Sequence, residues 1–260
     1  MNIFRYISIF ILTASLNACS RNIVSDTSEA YEVFETAVSE PSDLCLNFSG
    51  NGLFVVSDQG AIFEIGFDGK TIRKLTQYAN PDPAKKDDLE GICIDLATRN
   101  IFVVNERTLR VSRLDENGRY MDSFIIPSSV VRPQSENSGI EGITLHDDTF
   151  YFVNQEKPCT LFSYNRATQQ WSSQITLNFC LDANAVSYDV TDNTLWVLSV
   201  KSRKLFHCTT AGKPLKMLDI SFIAQPEGVW VNRADNTAWI CCDQTGKLYK
   251  VSLSKLTEYQ

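Results

Sequence analysis

Three glutamates, Glu90, Glu141 and Glu227, share one setting: each is followed by Gly and then by Ile or Val. Asn184 stands at the same place in Asn184-Ala185-Val186, and Ser42 in Ser42-Asp43-Leu44. A second apolar phrase follows each at nearly constant distance. Those phrases end at Ser57, Asn105, Asn154, Ser199 and Cys242, offsets of 15, 15, 13, 15 and 15 residues. If the five positions converge on one axis, three carboxylates meet there and repel one another unless neutralised. A hard cation does that: Ca²⁺ takes about six to eight oxygen ligands, and Glu and Asn oxygens suit it. The set Ser42, Glu90, Glu141, Asn184 and Glu227 is therefore a candidate calcium or polar-ligand site in a central channel. It contains no His, so zinc and copper are not expected. The competing reading is that each Glu accepts backbone N–H groups from the neighbouring repeat and serves the fold alone.

A second set begins the loops after those phrases: Asp58, Glu106, Gln155 and Asp243, with Arg107, Glu156 and Lys157 beside them. Loops held by a rigid scaffold concentrate binding residues, which makes this a candidate ligand or partner face. Ordinary solvated charge is the alternative. Other chemistries lack their residues. There is no GxSxG elbow and no HExxH. Gly69-Lys70-Thr71 ends like a P-loop, but Glu64 stands where the first Gly is required. His146 and His207 have no Ser or Cys partner that sequence can place. The chain of 260 residues has 24 Lys+Arg against 31 Asp+Glu, a net charge of -7. That excludes the basic footprint of a nucleic-acid binder.

The elements that position these residues follow from the repeat. Start-to-start periods are 48, 51, 43 and 43 residues. Each unit carries a first apolar phrase and a second, such as Ile101-Phe102-Val103-Val104, then a third, such as Leu205-Phe206-His207-Cys208. All are short and rich in β-branched and aromatic residues, which are strand signals. Gly50-Asn51-Gly52, Asp192-Asn193-Thr194 and Asp235-Asn236-Thr237 separate first from second strands as hairpin turns, and Asp68-Gly69 and Asn117-Gly118 follow third strands. Fourth strands are expected over 71–75, 120–126, 171–177 and 214–220. Four antiparallel strands per unit, five times over, predict an all-β protein with a five-bladed β-propeller, six blades being the alternative. The fifth copy lacks a fourth strand, and Tyr31 to Val38 is an orphan strand. It is expected to pair with residues 247–253 and close the ring, so that the propeller domain spans 31–260.

Residues 1–18 predict a signal peptide: Arg5, a short apolar run too short to span a bilayer, then Leu16-Asn17-Ala18-Cys19. This last phrase is similar to the bacterial lipobox, whose Cys is acylated. Lipid on Cys19 would hold the protein on a membrane, with residues 19–30 as a tether. The expected address is the bacterial cell envelope, facing the periplasm. Of eight cysteines, seven remain after Cys19, an odd number that leaves at least one outside any intramolecular disulfide. Most sit in apolar runs, as Ile92-Cys93-Ile94 does, and read as buried small apolar side chains.

The phrases Glu40-Pro41-Ser42-Asp43-Leu44, Leu53-Phe54-Val55-Val56-Ser57-Asp58, Asp87-Asp88-Leu89-Glu90-Gly91-Ile92 and Gln225-Pro226-Glu227-Gly228-Val229 resemble the SdiA-regulated (YjiK-like) family of envelope propellers. The resemblance covers most of residues 40–255. It implies a membrane-associated propeller with no well-established reaction. Asp43 stands where Gly is expected, and Asn184-Ala185 replaces Glu-Gly. A fold-level analogy also links the chain to phytase-like and lactonase-like calcium propellers. Two functions are therefore expected. One is an envelope lipoprotein that binds a small molecule or protein on one propeller face. The other is a calcium-dependent hydrolase, in which the metal activates water beside a basic Glu.

Overall fold

The computed structural model describes residues 30–76, 78–81, 87–131, 139–155 and 158–259. The expected signal peptide, Cys19 and nearly all of the expected tether lie outside them, as do Glu156 and Lys157. Strand β1 (Tyr31–Glu35) comes first. The first blade is β2 (Pro41–Leu46), β3 (Gly52–Ser57), β4 (Ala61–Gly66) and β5 (Thr71–Lys74). The second is β6 (Leu89–Asp95), β7 (Asn100–Asn105), β8 (Arg110–Leu114) and β9 (Tyr120–Ile125). The third is β10 (Ile140–His146), β11 (Thr149–Asn154) and β12 (Thr160–Asn165), with β13 (Gln170–Trp171) and β14 (Ile175–Thr176) on its outer edge. The fourth is β15 (Ala185–Asp189), β16 (Thr194–Ser199), β17 (Lys204–Thr209) and β18 (Pro214–Asp219). The fifth is β19 (Pro226–Asn232), β20 (Thr237–Cys242), β21 (Lys247–Ser252) and, as its fourth strand, β1. A last strand, β22 (Glu258–Tyr259), adds to the edge of β18.

Five blades close a ring, so the six-bladed alternative is set aside. The innermost strands pack side by side in the order β2, β6, β10, β15, β19, and β19 returns to β2. The closure is antiparallel, from Tyr31 opposite Val251 to Glu35 opposite Lys247. Joining the two ends of the chain in one sheet removes an exposed edge on β21. Phe34 stacks on Trp239, with ring centroids 5.8 Å apart, and anchors the closing strand to its blade. The expected fourth strand at 171–177 is broken in two. The ladder breaks at Ser172, whose hydroxyl accepts the Ser163 N–H at 2.8 Å in place of its backbone carbonyl.

The core lies in five seams between neighbouring blades. Leu53, Val55 and Ile65 of the first blade pack on Trp239, Cys241 and Leu248 of the fifth. Phe102 and Val104 of the second pack on Phe150, Phe152 and Phe162 of the third. Both faces of each blade are thus covered, which is why second strands are unbroken apolar runs rather than alternating ones. In β3, β7, β16 and β20 every residue is buried. Burying each such Leu, Val or Phe stabilises by about 1.5–3 kcal/mol.

Candidate functional site

Antiparallel pairing puts the start of each inner strand beside the end of the second strand. The two sequence-predicted sets therefore meet at one mouth of the channel. The site residues share a further feature. In β6 the register runs Leu89 opposite Asn105 and then Gly91 opposite Val104, which leaves Glu90 as the extra residue of a bulge. Glu141 is extra between Ile140 and Gly142 in β10, and Ser42 between Pro41 and Asp43 in β2. Glu227 falls in the same kind of shift in β19. A β-bulge re-aims the side chain it inserts, here at the channel mouth.

The glycines of the Glu-Gly pairs have a separate reason. A Cβ on Gly228 would lie 2.5 Å from the Cα of Asp43, and one on Gly142 2.8 Å from the Cα of Ala185. Inner strands approach too closely there for a side chain. Asp43 and Ala185 occupy the two positions where the repeat departs from Gly. Asp43 is 1% exposed, and its Oδ2 accepts the Ile92 N–H at 3.0 Å.

Ser42, Asp58, Asp88, Glu90, Glu106, Arg107, Glu141, Gln155, Glu227 and Asp243 line one cavity of about 290 Å³. Seven carboxylates thus face a single guanidinium. Asp58, Glu106, Arg107 and Asp243 begin the connections after the second strands, as expected, and stand on the wall of this cavity; Glu106 is only 5% exposed. Asn184 reaches the site indirectly, donating to Glu227 Oε2 at 3.3 Å while its Oδ1 accepts the Val200 N–H at 3.2 Å.

Asp88 is the residue that motif reading passed over. Its signal was available two positions before the repeat residue, where Glu40, Asp88, Asp182 and Gln225 are polar in four of the five copies, Gly139 being the exception. Asp88 Oδ2 forms an ion pair with Arg107 Nε at 2.6 Å. The carboxylates of Asp88, Glu90 and Glu106 each place an oxygen within 4.8 Å of the other two. Oxygen-only donors at this spacing fit a hard divalent cation, and the cavity wall offers no nitrogen or sulfur ligand for a softer one.

Crowding and burial govern protonation. Glu90 and Glu141 are pushed well above the usual carboxylate range, first by burial and then by neighbouring carboxylates. Burial also raises Glu106, although the Gly139 N–H, 2.7 Å from its Oε1, opposes the rise. Glu141 and Glu106 are in hydrogen-bond contact, which requires a proton between the two carboxyl groups and raises Glu141. Glu227 rises to about 7, mainly by burial, with hydrogen bonds from Gln225 and Asn184 opposing.

The far mouth of the channel is different. A cavity of about 500 Å³ there is lined by Cys45, Cys93, Leu145, Tyr188, Trp230 and other largely apolar groups. Near it, Asp189, Asp192 and His207 form a second tight group. Arg233 already pairs with Asp189 at 3.1 Å, and Thr194 Oγ1 lies 2.6 Å from His207 Nε2, so one carboxylate and the imidazole of this cluster are already engaged.

The chain belongs to the SdiA-regulated family, whose model matches residues 24–253. No curated protein matches it. Among solved structures it is similar to glutaminyl cyclase of Myxococcus xanthus, at 9% identity and a TM-score of 0.64, over 88% of this chain and 96% of that one. It is also similar to a chain of a nidogen/laminin complex, at 13% identity and a TM-score of 0.59, over 85% and 78%. A third is virginiamycin B lyase from Staphylococcus aureus, at 18% identity and 0.51, over 83% and 67%. At these identities the likeness is one of fold.

Proposed function

We propose that this member of the SdiA-regulated family is an envelope lipoprotein, held at a membrane through acyl chains on Cys19, whose propeller binds Ca²⁺ at the acidic channel mouth. The observation that carries the cation is the ratio of seven carboxylates to one guanidinium around one cavity. Burying that many like charges costs several kcal/mol per ion unless a cation or protons neutralise them. Asp88, Glu90 and Glu106 would supply the primary oxygens, with Glu141 and Glu227 completing the wall. Arg107 holds Asp88 in place while offsetting part of its charge.

The ion would also present an exposed face to solvent, where an anionic or carbonyl group of a small molecule or protein partner completes its coordination. That is the binding role assigned to the site. Glu227 favours a second reading. A carboxylate with a pKa of about 7 is matched to general-base work at neutral pH, as a calcium-dependent hydrolase requires.

The test is a melt of chelator-treated protein with and without calcium. Binding raises stability as RT ln(1 + [L]/Kd), about 2.7 kcal/mol at a hundredfold excess over Kd. An unchanged midpoint rejects the cation site. Hydrolysis of ester or lactone probes that requires calcium and is lost in Glu227→Gln would establish the second reading.

A further inference from the structure

Cys159 precedes β12, and Cys180 lies in the segment that leads to β15. Pairing of β14 with β12 brings the two together. Leu161 stands opposite Ile175 and Thr160 opposite Thr176, and the Leu177 N–H then bonds the Cys159 carbonyl at 2.9 Å. The chain turns after Leu177, and the Cys180 thiol donates back to the Leu177 carbonyl at 3.6 Å. The Cys159 thiol lies 3.7 Å from the Cys180 carbonyl, and the two side chains are in hydrogen-bonding contact. Cys159 is 6% exposed and Cys180 is half-buried.

We propose that Cys159 and Cys180 are a disulfide-forming pair that clamps the loop entering the fourth blade to the third. The inference is independent of the cation reading. It rests on the envelope address proposed above, an oxidising compartment where such bonds persist. The step needs a disulfide-bearing oxidant, a thiol-oxidoreductase in the cell or oxidised glutathione in the tube. The half-buried Cys180 thiolate attacks one oxidant sulfur. The oxidant's S–S bond breaks and one thiol leaves. Cys159 thiolate then attacks the Cys180 sulfur of the mixed disulfide, and the second thiol leaves with the remaining proton. Two cysteines lose two electrons and two protons, and the oxidant gains them. Its hydrogen bond with Cys159, and then burial, raise the Cys180 thiol, so the reaction speeds up as pH rises above neutrality.

The clamp sits beside the acidic mouth. Gln155, on the cavity wall, accepts the Ala183 N–H at 3.0 Å, and Asn184 next to it reaches Glu227. A bond between residues 21 apart therefore braces the two segments that carry Gln155 and Asn184.

The experiment is peptide mapping of the full-length wild-type protein, treated with oxidised glutathione and alkylated without reduction. One linked peptide joining Cys159 to Cys180 is expected, while Cys45, Cys93 and Cys208 alkylate after unfolding. Reduction should lower the melting midpoint of the wild type by about 5–10 °C, as a disulfide loop of this size implies. Cys159→Ser should show no such drop. Alkylation of both Cys159 and Cys180 after oxidation overturns the proposal, as does linkage of either to a different cysteine.

Discussion

The carboxyl groups of Glu141 and Glu106 share a hydrogen bond across the seam between the third and second blades. One proton shared by two glutamates is how the channel mouth lowers its charge without a cation. A cation and these protons therefore compete for the same oxygens. That competition shapes the predictions.

In calcium-free protein, stability should fall as pH rises. Glu227 has an ordinary value of 4.5 and a folded value of about 7. A raised folded value means that the folded chain binds more protons than the unfolded one in this window. Its stabilisation is complete below pH 4.5 and is lost as pH climbs through 7. The loss from Glu227 alone is about 3 kcal/mol, and Glu90, Glu106 and Glu141 act in the same direction. Urea denaturation at pH 5 and pH 8 measures this, and saturating calcium should flatten the slope. A calcium-free protein more stable at pH 8 contradicts the account.

Glu141→Gln and Glu90→Gln should separate. Gln at 141 keeps an N–H donor for Glu106, so the calcium-free melt should change by less than about 0.5 kcal/mol. Glu90→Gln removes one of the three clustered oxygen ligands and should lower calcium affinity by at least about tenfold, or 1.4 kcal/mol. Differential scanning fluorimetry across a calcium series distinguishes the two. Equal calcium responses in both variants would remove Glu90 from the site.

Gly228→Ala should destabilise by about 1–3 kcal/mol, because its Cβ would fall 2.5 Å from the Asp43 Cα and 2.8 Å from the Cys241 sulfur. The two inner strands have to part to admit it. Gly50→Ala is the control, since nothing lies within 4 Å of its Cβ and only its positive φ of 70° opposes the change. It should cost about 1 kcal/mol. A Gly228→Ala protein that melts as the wild type does would show that the seam yields.

Deleting residues 31–38 should lower the single cooperative melt of the entire domain. β21 would be left as an open edge, and Trp239 and Phe222 would lose Phe34 and Tyr31 from their ring stacks. Circular dichroism and light scattering check this. A deletion protein with the parental midpoint and no aggregation would contradict closure by β1.

Much of this architecture was legible because propeller blades repeat. Three apolar phrases held in step five times gave the blade count, and the unpaired Tyr31 to Val38 gave the closure. The site was legible in part. The near-constant offset from Glu90 to Asn105 already encodes an antiparallel hairpin whose two ends meet, yet it reads as two separate sets until the sheet is seen. The bulges at Ser42, Glu90 and Glu141 leave no mark on composition, since one extra residue in a strand changes register and not residue type. Asp88 left a signal in the repeat, two positions before Glu90, but Gly139 interrupts it in the third copy. β22 has no counterpart in the other blades, so no repeat could announce it.

Calorimetric titration of calcium into chelator-treated protein at pH 7.5, in two buffers of different ionisation enthalpy, tests the central claim most directly. Binding at one site is predicted, with net release of protons from the carboxyls that hold them, and with affinity that falls at pH 5.5. Affinity should fall by at least about tenfold in Glu90→Gln. No saturable heat at millimolar calcium, or binding that releases no protons and is unchanged in Glu90→Gln, would contradict a cation site at this mouth of the channel.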